Sequence, residues 1–149
     1  MSPLPVGDVA PPVPTVPTDD GPRGLFFYKV TCPTCQMAAP TMARFDWAFP
    51  GRVVGIGQDP EAALDRFTEE FRMGIASVVD APPYAVSDAY AVESVPTLYL
   101  VEDGRVLDAV GAWDREGFNR VAATLAERLG AEPPLVSTPD DGLPEFQPG

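Results

Sequence analysis

Cys32 and Cys35 are the only two cysteines in the 149-residue chain, and they stand three positions apart. An apolar, strand-forming run over residues 25–30 leads into them, and Pro33 follows the first cysteine. Because proline is favoured at the first position of a helix, this order predicts a strand and then a helix with Cys32 at its N-cap. Residues three apart share a helix face at about 5–6 Å between Cβ atoms, and a small adjustment can close this separation to the ~3.8 Å that a disulfide needs. The pair is therefore predicted to cycle between dithiol and disulfide.

The predicted helix terminus gives the two thiols different roles. Its unpaired N–H groups and the positive end of the helix dipole favour a thiolate at Cys32, and the thiolate is the nucleophilic form of cysteine. Cys35 lies one turn inside the helix and is more shielded. Cys32 is therefore the candidate attacking residue and Cys35 the candidate resolving residue of a thiol–disulfide exchange.

Other roles for this pair have less support. A zinc site needs about four ligands, and the chain offers no other cysteine and no histidine. A purely structural disulfide across so short a loop would stabilise the fold by roughly 2 kcal/mol, less than a long-range crosslink. The absence of histidine also excludes hydrolases that depend on a Ser-His or Cys-His pair. We expect no metal and no cofactor, since Gly55-x-Gly57 lacks the third glycine and the lysine of a nucleotide loop.

The hydrophobic pattern predicts alternating strands and helices around the cysteine pair. Strands joined through a helical crossover imply parallel pairing. Asp103-Gly104 is a recognised hairpin turn, and Asp59 is a favourable helix N-cap. The predicted elements after the first strand are a helix over residues 32–48 containing Pro40, a strand over 52–58, a helix from Pro60 to Gly74, a short strand over 75–79, a short helix over 87–90, a hairpin of 98–101 and 106–110, and a helix from Asp114 to Gly130.

The cysteine segment resembles the active-site strand and helix of the thioredoxin superfamily, particularly its TlpA-like disulfide reductase and redoxin branch. Residues 95–101, Val-Pro-Thr-Leu-Tyr-Leu-Val, and the Glu-Asp-Gly-Arg that follows are similar to that family's cis-proline strand and hairpin. The resemblance spans about residues 7–130. It implies an α/β thioredoxin-like fold, with a mixed central sheet flanked by helices and an N-terminal edge extension, and a cis peptide bond before Pro96.

Two positions depart from the family pattern. Thr31 stands where the family usually has tryptophan before the first cysteine. Phe26 stands where thioredoxin itself has a buried acid on the strand ahead of the motif.

The candidate substrate-binding residues are Val95, Pro96, Thr34 and Pro33. A free Val95 backbone beside the thiols would let an extended peptide pair with it as an added strand. Thr34 lies between the cysteines and is the better of two threonines to donate a hydrogen bond to the Cys32 sulfur. Lys29, the only lysine, is interpreted as a solvated surface residue.

These residues predict a thiol-disulfide oxidoreductase that reduces disulfides of a protein or small-molecule substrate and is restored by an external thiol reductant. One alternative is a redoxin-type thiol peroxidase, although neither cysteine lies in a Pro-x-x-x-Thr-x-x-Cys pattern. The other is a non-enzymatic thioredoxin-like module that holds an extended peptide beside Pro96.

Composition limits the partners and divides the chain. The net charge is −12, with all ten basic residues between positions 23 and 128, so nucleic acid is not an expected partner. No apolar run approaches the roughly 20 residues of a membrane span, and the N-terminus lacks the features of a secretory signal. We expect no membrane partner and a cytoplasmic location. The predicted parts are a proline-rich extension packed on the domain (1–22), a thioredoxin-like domain (23–130) and a mostly disordered acidic tail (131–149).

Overall fold

The central element is β1 (Arg23–Tyr28), which is buried along its whole length. In this computed structural model, which describes residues 3–149, β1 lies in the middle of a five-stranded sheet of order β3-β2-β1-β4-β5. The other elements are α1 (Pro33–Ala48), β2 (Val53–Gly57), α2 (Glu61–Glu70), β3 (Ser77–Val79), α3 (Ala85–Ala89), β4 (Thr97–Glu102), β5 (Arg105–Gly111), β6 (Trp113–Asp114), α4 (Arg115–Leu129) and β7 (Phe146–Gln147).

The sheet is mixed because β1 has a parallel and an antiparallel neighbour. Phe26 pairs with Gly55 on parallel β2 and with Leu98 on antiparallel β4. A crossover through α1 joins β1 to β2, as parallel pairing requires. The β4–β5 hairpin turns at Asp103 and Gly104, whose φ angles of 51° and 75° suit the tight turn between twisted strands. The predicted mixed sheet and its hairpin are confirmed.

Strand alternation divides the side chains of β1 between two layers. Phe26 and Tyr28 point into a core built with α1, α2 and α4. Leu25 and Phe27 point to the opposite face, where they meet α3 and part of the N-terminal segment. Since successive strand residues face opposite sides, the five consecutive apolar or small residues at 24–28 are what a strand covered on both faces needs. Phe26 is fully buried and stacks on Tyr28 with ring centroids 5.6 Å apart.

The N-terminal segment runs along the free edge of β5. Gly7 donates its amide hydrogen to the Val106 carbonyl at 2.8 Å, and Val106 donates to the Asp8 carbonyl at 2.9 Å. Val9 forms a single antiparallel bridge with Arg105. The edge strand is therefore paired on both sides, in the manner of an N-terminal edge extension.

Residues 131–149 differ from the predicted, mostly disordered tail. Val136 and Ser137 are buried, and Asn119 of α4 binds their backbone through its side-chain amide. The Asp141 carboxylate accepts hydrogen bonds from Ser137 Oγ at 2.5 Å and from the Leu143 amide at 2.9 Å. The segment therefore packs on the domain through polar contacts, which its low content of apolar residues did not indicate.

No helix within residues 3–149 combines the length and the apolar content needed to cross a bilayer.

Gly57 provides a test of the packing between β2 and α2. A Cβ built on this glycine would overlap the terminal methyl groups of Leu64, which is itself buried. Gly57→Ala is expected to lower the free energy of unfolding by about 1–3 kcal/mol, the usual cost of an extra methyl group in a filled core. Chemical denaturation measures this. Gly111→Ala is the matched control, because a Cβ there meets no atom within 4 Å; equal losses in the two variants would contradict the packing argument.

Candidate active site

Cys32 is the N-cap of α1, as predicted. Its φ and ψ of −84° and 114° are extended, and Pro33 occupies the start of the helix. The Cys32 sulfur accepts a hydrogen bond from the Cys35 amide at 3.1 Å. The side chain is half-buried, so the sulfur can be reached from solvent. A sulfur that caps a helix in this way is held where an amide donor and the helix dipole both stabilise negative charge.

Cys35 lies directly behind Cys32 and is fully buried. Burial raises the pKa of the Cys35 thiol well above its usual range, and the adjacent Cys32 side chain raises it as well. The negative Asp59 carboxylate adds to the increase in pKa, while the Lys29 backbone opposes it. Both cysteines are free thiols in this structure. One thiol is therefore accessible and the other is protected and protonated, which is the asymmetry that attack and resolution require.

This asymmetry predicts selective alkylation of the reduced protein. In mildly alkaline buffer, iodoacetamide should modify Cys32 and leave Cys35 unmodified, because Cys35 is buried and its raised pKa keeps it protonated. Peptide mapping by mass spectrometry would locate the label, and denaturation before labelling should expose both sites. Equal labelling of both cysteines in the native state would contradict the assigned roles.

Val95 and Pro96 lie beside the thiols although Val95 is 63 residues from Cys32 in sequence. The Val95 carbonyl oxygen is 3.5 Å from the Cys32 sulfur, which donates to it. The Val95–Pro96 peptide bond is cis, the geometry that the family resemblance implies. Pro96 directly precedes β4, and β4 pairs with β1, so the sheet itself brings this loop to the cysteine turn.

Thr34 and Pro33 lie in the same region but make different contacts from those predicted. The Thr34 hydroxyl donates to the Pro148 carbonyl at 2.7 Å, and no hydrogen bond between Thr34 and the Cys32 sulfur is observed among the described residues. The prediction that Thr34 donates to Cys32 is therefore wrong, because the Cys35 amide fills that role. Pro33 is exposed next to Cys32, and Lys29 is exposed as predicted.

Asp59 supports the cysteine turn instead of capping the next helix. Its carboxylate accepts a hydrogen bond from the Val30 amide at 2.9 Å, and Gln36 donates to the Val30 carbonyl at the same distance. The N-cap of α2 is Pro60, which makes no side-chain cap. The Asp59 cap prediction is wrong because a backbone donor of the turn, brought close by the parallel β1–β2 pairing, binds the carboxylate instead.

Within residues 3–149, no group of three or more histidine, cysteine or acidic side chains is arranged to hold a metal ion.

The chain is similar to several proteins of known structure. No family model and no curated protein sequence matches the chain. A secreted Mycobacterium tuberculosis disulfide oxidoreductase homologous to E. coli DsbE is 25% identical over 62% of this chain and 69% of its own, with a TM-score of 0.53. MTB DsbF, solved in mixed oxidised and reduced forms, is 26% identical over 72% and 82%, with a TM-score of 0.62.

A third similarity extends over more of the chain. A putative thiol:disulfide interchange protein DsbE from Chlorobium tepidum matches 85% of this chain and 99% of its own, at 19% identity and a TM-score of 0.66. At this identity the match bears on the fold, and the predicted thioredoxin-like fold is confirmed.

Proposed function

We propose that this chain, whose structural neighbours are thiol-disulfide oxidoreductases of the thioredoxin superfamily, reduces disulfides through Cys32 and Cys35. The observation that carries the proposal is the half-buried Cys32, whose sulfur accepts the Cys35 amide hydrogen at 3.1 Å in front of a fully buried second thiol. This arrangement supports a nucleophile and an internal resolving group at one helix terminus.

The reaction proceeds in two displacements. The Cys32 thiolate attacks one sulfur of the substrate disulfide; that S–S bond breaks, and the departing substrate thiolate takes up a proton. A mixed disulfide now joins Cys32 to the substrate. Cys35 then loses its proton and attacks the Cys32 sulfur, which releases the second substrate thiol and leaves a Cys32–Cys35 disulfide. The substrate has gained two electrons and two protons, and an external dithiol returns the protein to its reduced form.

The rest of the site supports the first displacement. The Cys35 amide stabilises negative charge on Cys32 before attack, because a charged acceptor strengthens such a hydrogen bond. The Val95 carbonyl lies 3.5 Å from the sulfur, so a peptide that paired with this part of the backbone would lie beside the nucleophile. Disulfides of proteins or small molecules are the proposed substrates, a thiol reductant is the proposed partner, and the cytoplasm is the proposed location.

Insulin reduction tests this function. With dithiothreitol as the reductant, the protein should accelerate precipitation of the insulin B chain, and the acceleration should disappear after alkylation of Cys32. Hydrogen peroxide consumption is measured in parallel. Peroxide turnover without insulin reduction would contradict the proposed disulfide reductase and indicate a thiol peroxidase. Inactivity in both assays would exclude both enzymatic functions.

A further inference from the structure

The C-terminal arm, defined here as residues 143–149, lies across the domain and ends at the thiol site. It follows the buried stretch around Val136 and Ser137 and begins beside Asp141, whose carboxylate binds the Leu143 amide. Its β7 strand pairs antiparallel with β6, so that Trp113 lies opposite Gln147 and Asp114 lies opposite Phe146.

The domain holds the arm mainly through the arm's main-chain carbonyls. Arg115 donates from its guanidinium to the Leu143 carbonyl at 2.7 Å and from its amide to the Glu145 carbonyl at 3.0 Å. The Trp113 indole donates to the Pro144 carbonyl at 2.7 Å. The side chains of residues 144–148 are exposed, and Phe146 is 57% accessible. The arm is therefore bound as an extended backbone, the way an added strand binds a peptide site.

The tip of the arm lies against the groups that surround the nucleophile. The Thr34 hydroxyl donates to the Pro148 carbonyl at 2.7 Å. Gly149 packs so closely on Val95 that a Cβ there would overlap the Val95 carbonyl oxygen, and it would lie 3.5 Å from Pro96 Cδ. That same Val95 oxygen accepts from the Cys32 sulfur. The tip, the carbonyl and the attacking sulfur therefore converge within one groove.

We propose that the C-terminal arm is an intramolecular occupant of the substrate groove and that a peptide carrying a disulfide must displace it. The proposal rests on the proposed function, since it assigns the regulation of the same thiol site. The occupied groups, Thr34 and Val95, are those that would hold a substrate backbone. A paired ribbon of two residues per strand is marginal by itself, and the arm buries little side-chain surface, so it can leave the groove and return.

Gly149→Val is the sharpest variant, because its Cβ would overlap the Val95 carbonyl and prevent the tip from seating. A second variant ends at Leu143, which removes the Pro144, Glu145 and Pro148 carbonyls that the domain binds. If the arm occupies the groove about nine-tenths of the time, each variant should raise kcat/KM for insulin disulfides about tenfold, as expected when a competing closed state is removed. Gly111→Ala, a glycine whose added Cβ contacts nothing, is the matched control and should behave as wild type.

Two further measurements separate the arm from general effects on the thiols. A synthetic peptide of residues 143–149 should inhibit insulin reduction by the truncated variant more strongly than by the wild type, whose groove is already filled. Hydrogen exchange should show a protected Arg115 amide in the wild type, because this amide binds the Glu145 carbonyl, and faster exchange in the truncated variant, which lacks that carbonyl.

The outcomes distinguish failure of the arm from failure of the function. Equal insulin rates in the wild type and both arm variants, with Cys32 still reactive towards the small aromatic disulfide DTNB, would overturn the proposal and leave the oxidoreductase intact. An unprotected Arg115 amide in the wild type would overturn it as well. Absence of any DTNB reaction in all variants would instead refute the thiol chemistry itself.

Discussion

Cys32→Ser is expected to lower the rate of insulin reduction on the order of a thousandfold or more, comparable with the loss of a nucleophile in other covalent enzymes. The physical reason is that a serine hydroxyl stays protonated at neutral pH. It therefore cannot attack the substrate disulfide, and no mixed disulfide forms. Cys35 cannot substitute for the missing sulfur, because it is fully buried and its pKa is raised. The initial rate of insulin reduction, with dithiothreitol as the reductant, measures the effect.

This substitution should leave the fold intact, which makes the loss interpretable. Serine is among the preferred N-cap residues, so its hydroxyl can accept the Cys35 amide hydrogen that the sulfur accepts now. The free energy of unfolding should change by less than about 1 kcal/mol, within the spread for N-cap exchanges. A folded Cys32→Ser protein that retains a tenth or more of the wild-type activity would show that Cys32 is not the attacking residue.

Cys35→Ala is expected to trap the intermediate that the wild type resolves. Cys32 can still attack a substrate disulfide, but the internal thiol that would displace the product is gone. Because an internal group acts at an effective concentration far above that of millimolar external thiol, the mixed disulfide should persist on the order of a thousandfold longer. Non-reducing electrophoresis and intact mass after mixing with insulin should show a covalent adduct on Cys32.

A second variant guards against a folding artefact. Cys35→Ser keeps the size of the side chain but buries a hydroxyl, which costs about 1–3 kcal/mol if it finds no partner. Both variants should form the adduct, and dithiothreitol should release it. Failure of both folded variants to accumulate any adduct would mean that Cys35 has no part in resolution.

The cysteine turn could be predicted from the sequence because local rules determine it. An apolar strand, a proline at the first helical position and a three-residue spacing place Cys32 at an N-cap without reference to the rest of the chain. The approach of Val95 to Cys32 depends on the register of β4 beside β1, a long-range property, and entered the prediction only through the family resemblance.

The arm and the Asp59 contact could not be predicted because both depend on partners remote in sequence. Residues 131–149 are rich in proline and poor in apolar side chains, a composition that favours disorder. Arg115 and Trp113 bind main-chain carbonyls of the arm. Because every residue type carries such a carbonyl, the amino-acid sequence of the arm does not indicate that it binds the domain. Asp59 has the residue type of a helix cap, but in the folded chain its carboxylate accepts the Val30 amide hydrogen at 2.9 Å instead.

The most direct test of whether Cys32 and Cys35 form a redox pair is a redox titration. The protein is equilibrated with graded mixtures of reduced and oxidised glutathione. Rapid acid quenching, alkylation and intact mass would give the fraction of each form. The proposed function predicts one two-electron transition to a monomeric Cys32–Cys35 disulfide, with a potential between about −120 and −270 mV, the range of thioredoxin-like exchange proteins. Thiols that stay free across the whole range, or that oxidise only between molecules, would contradict it.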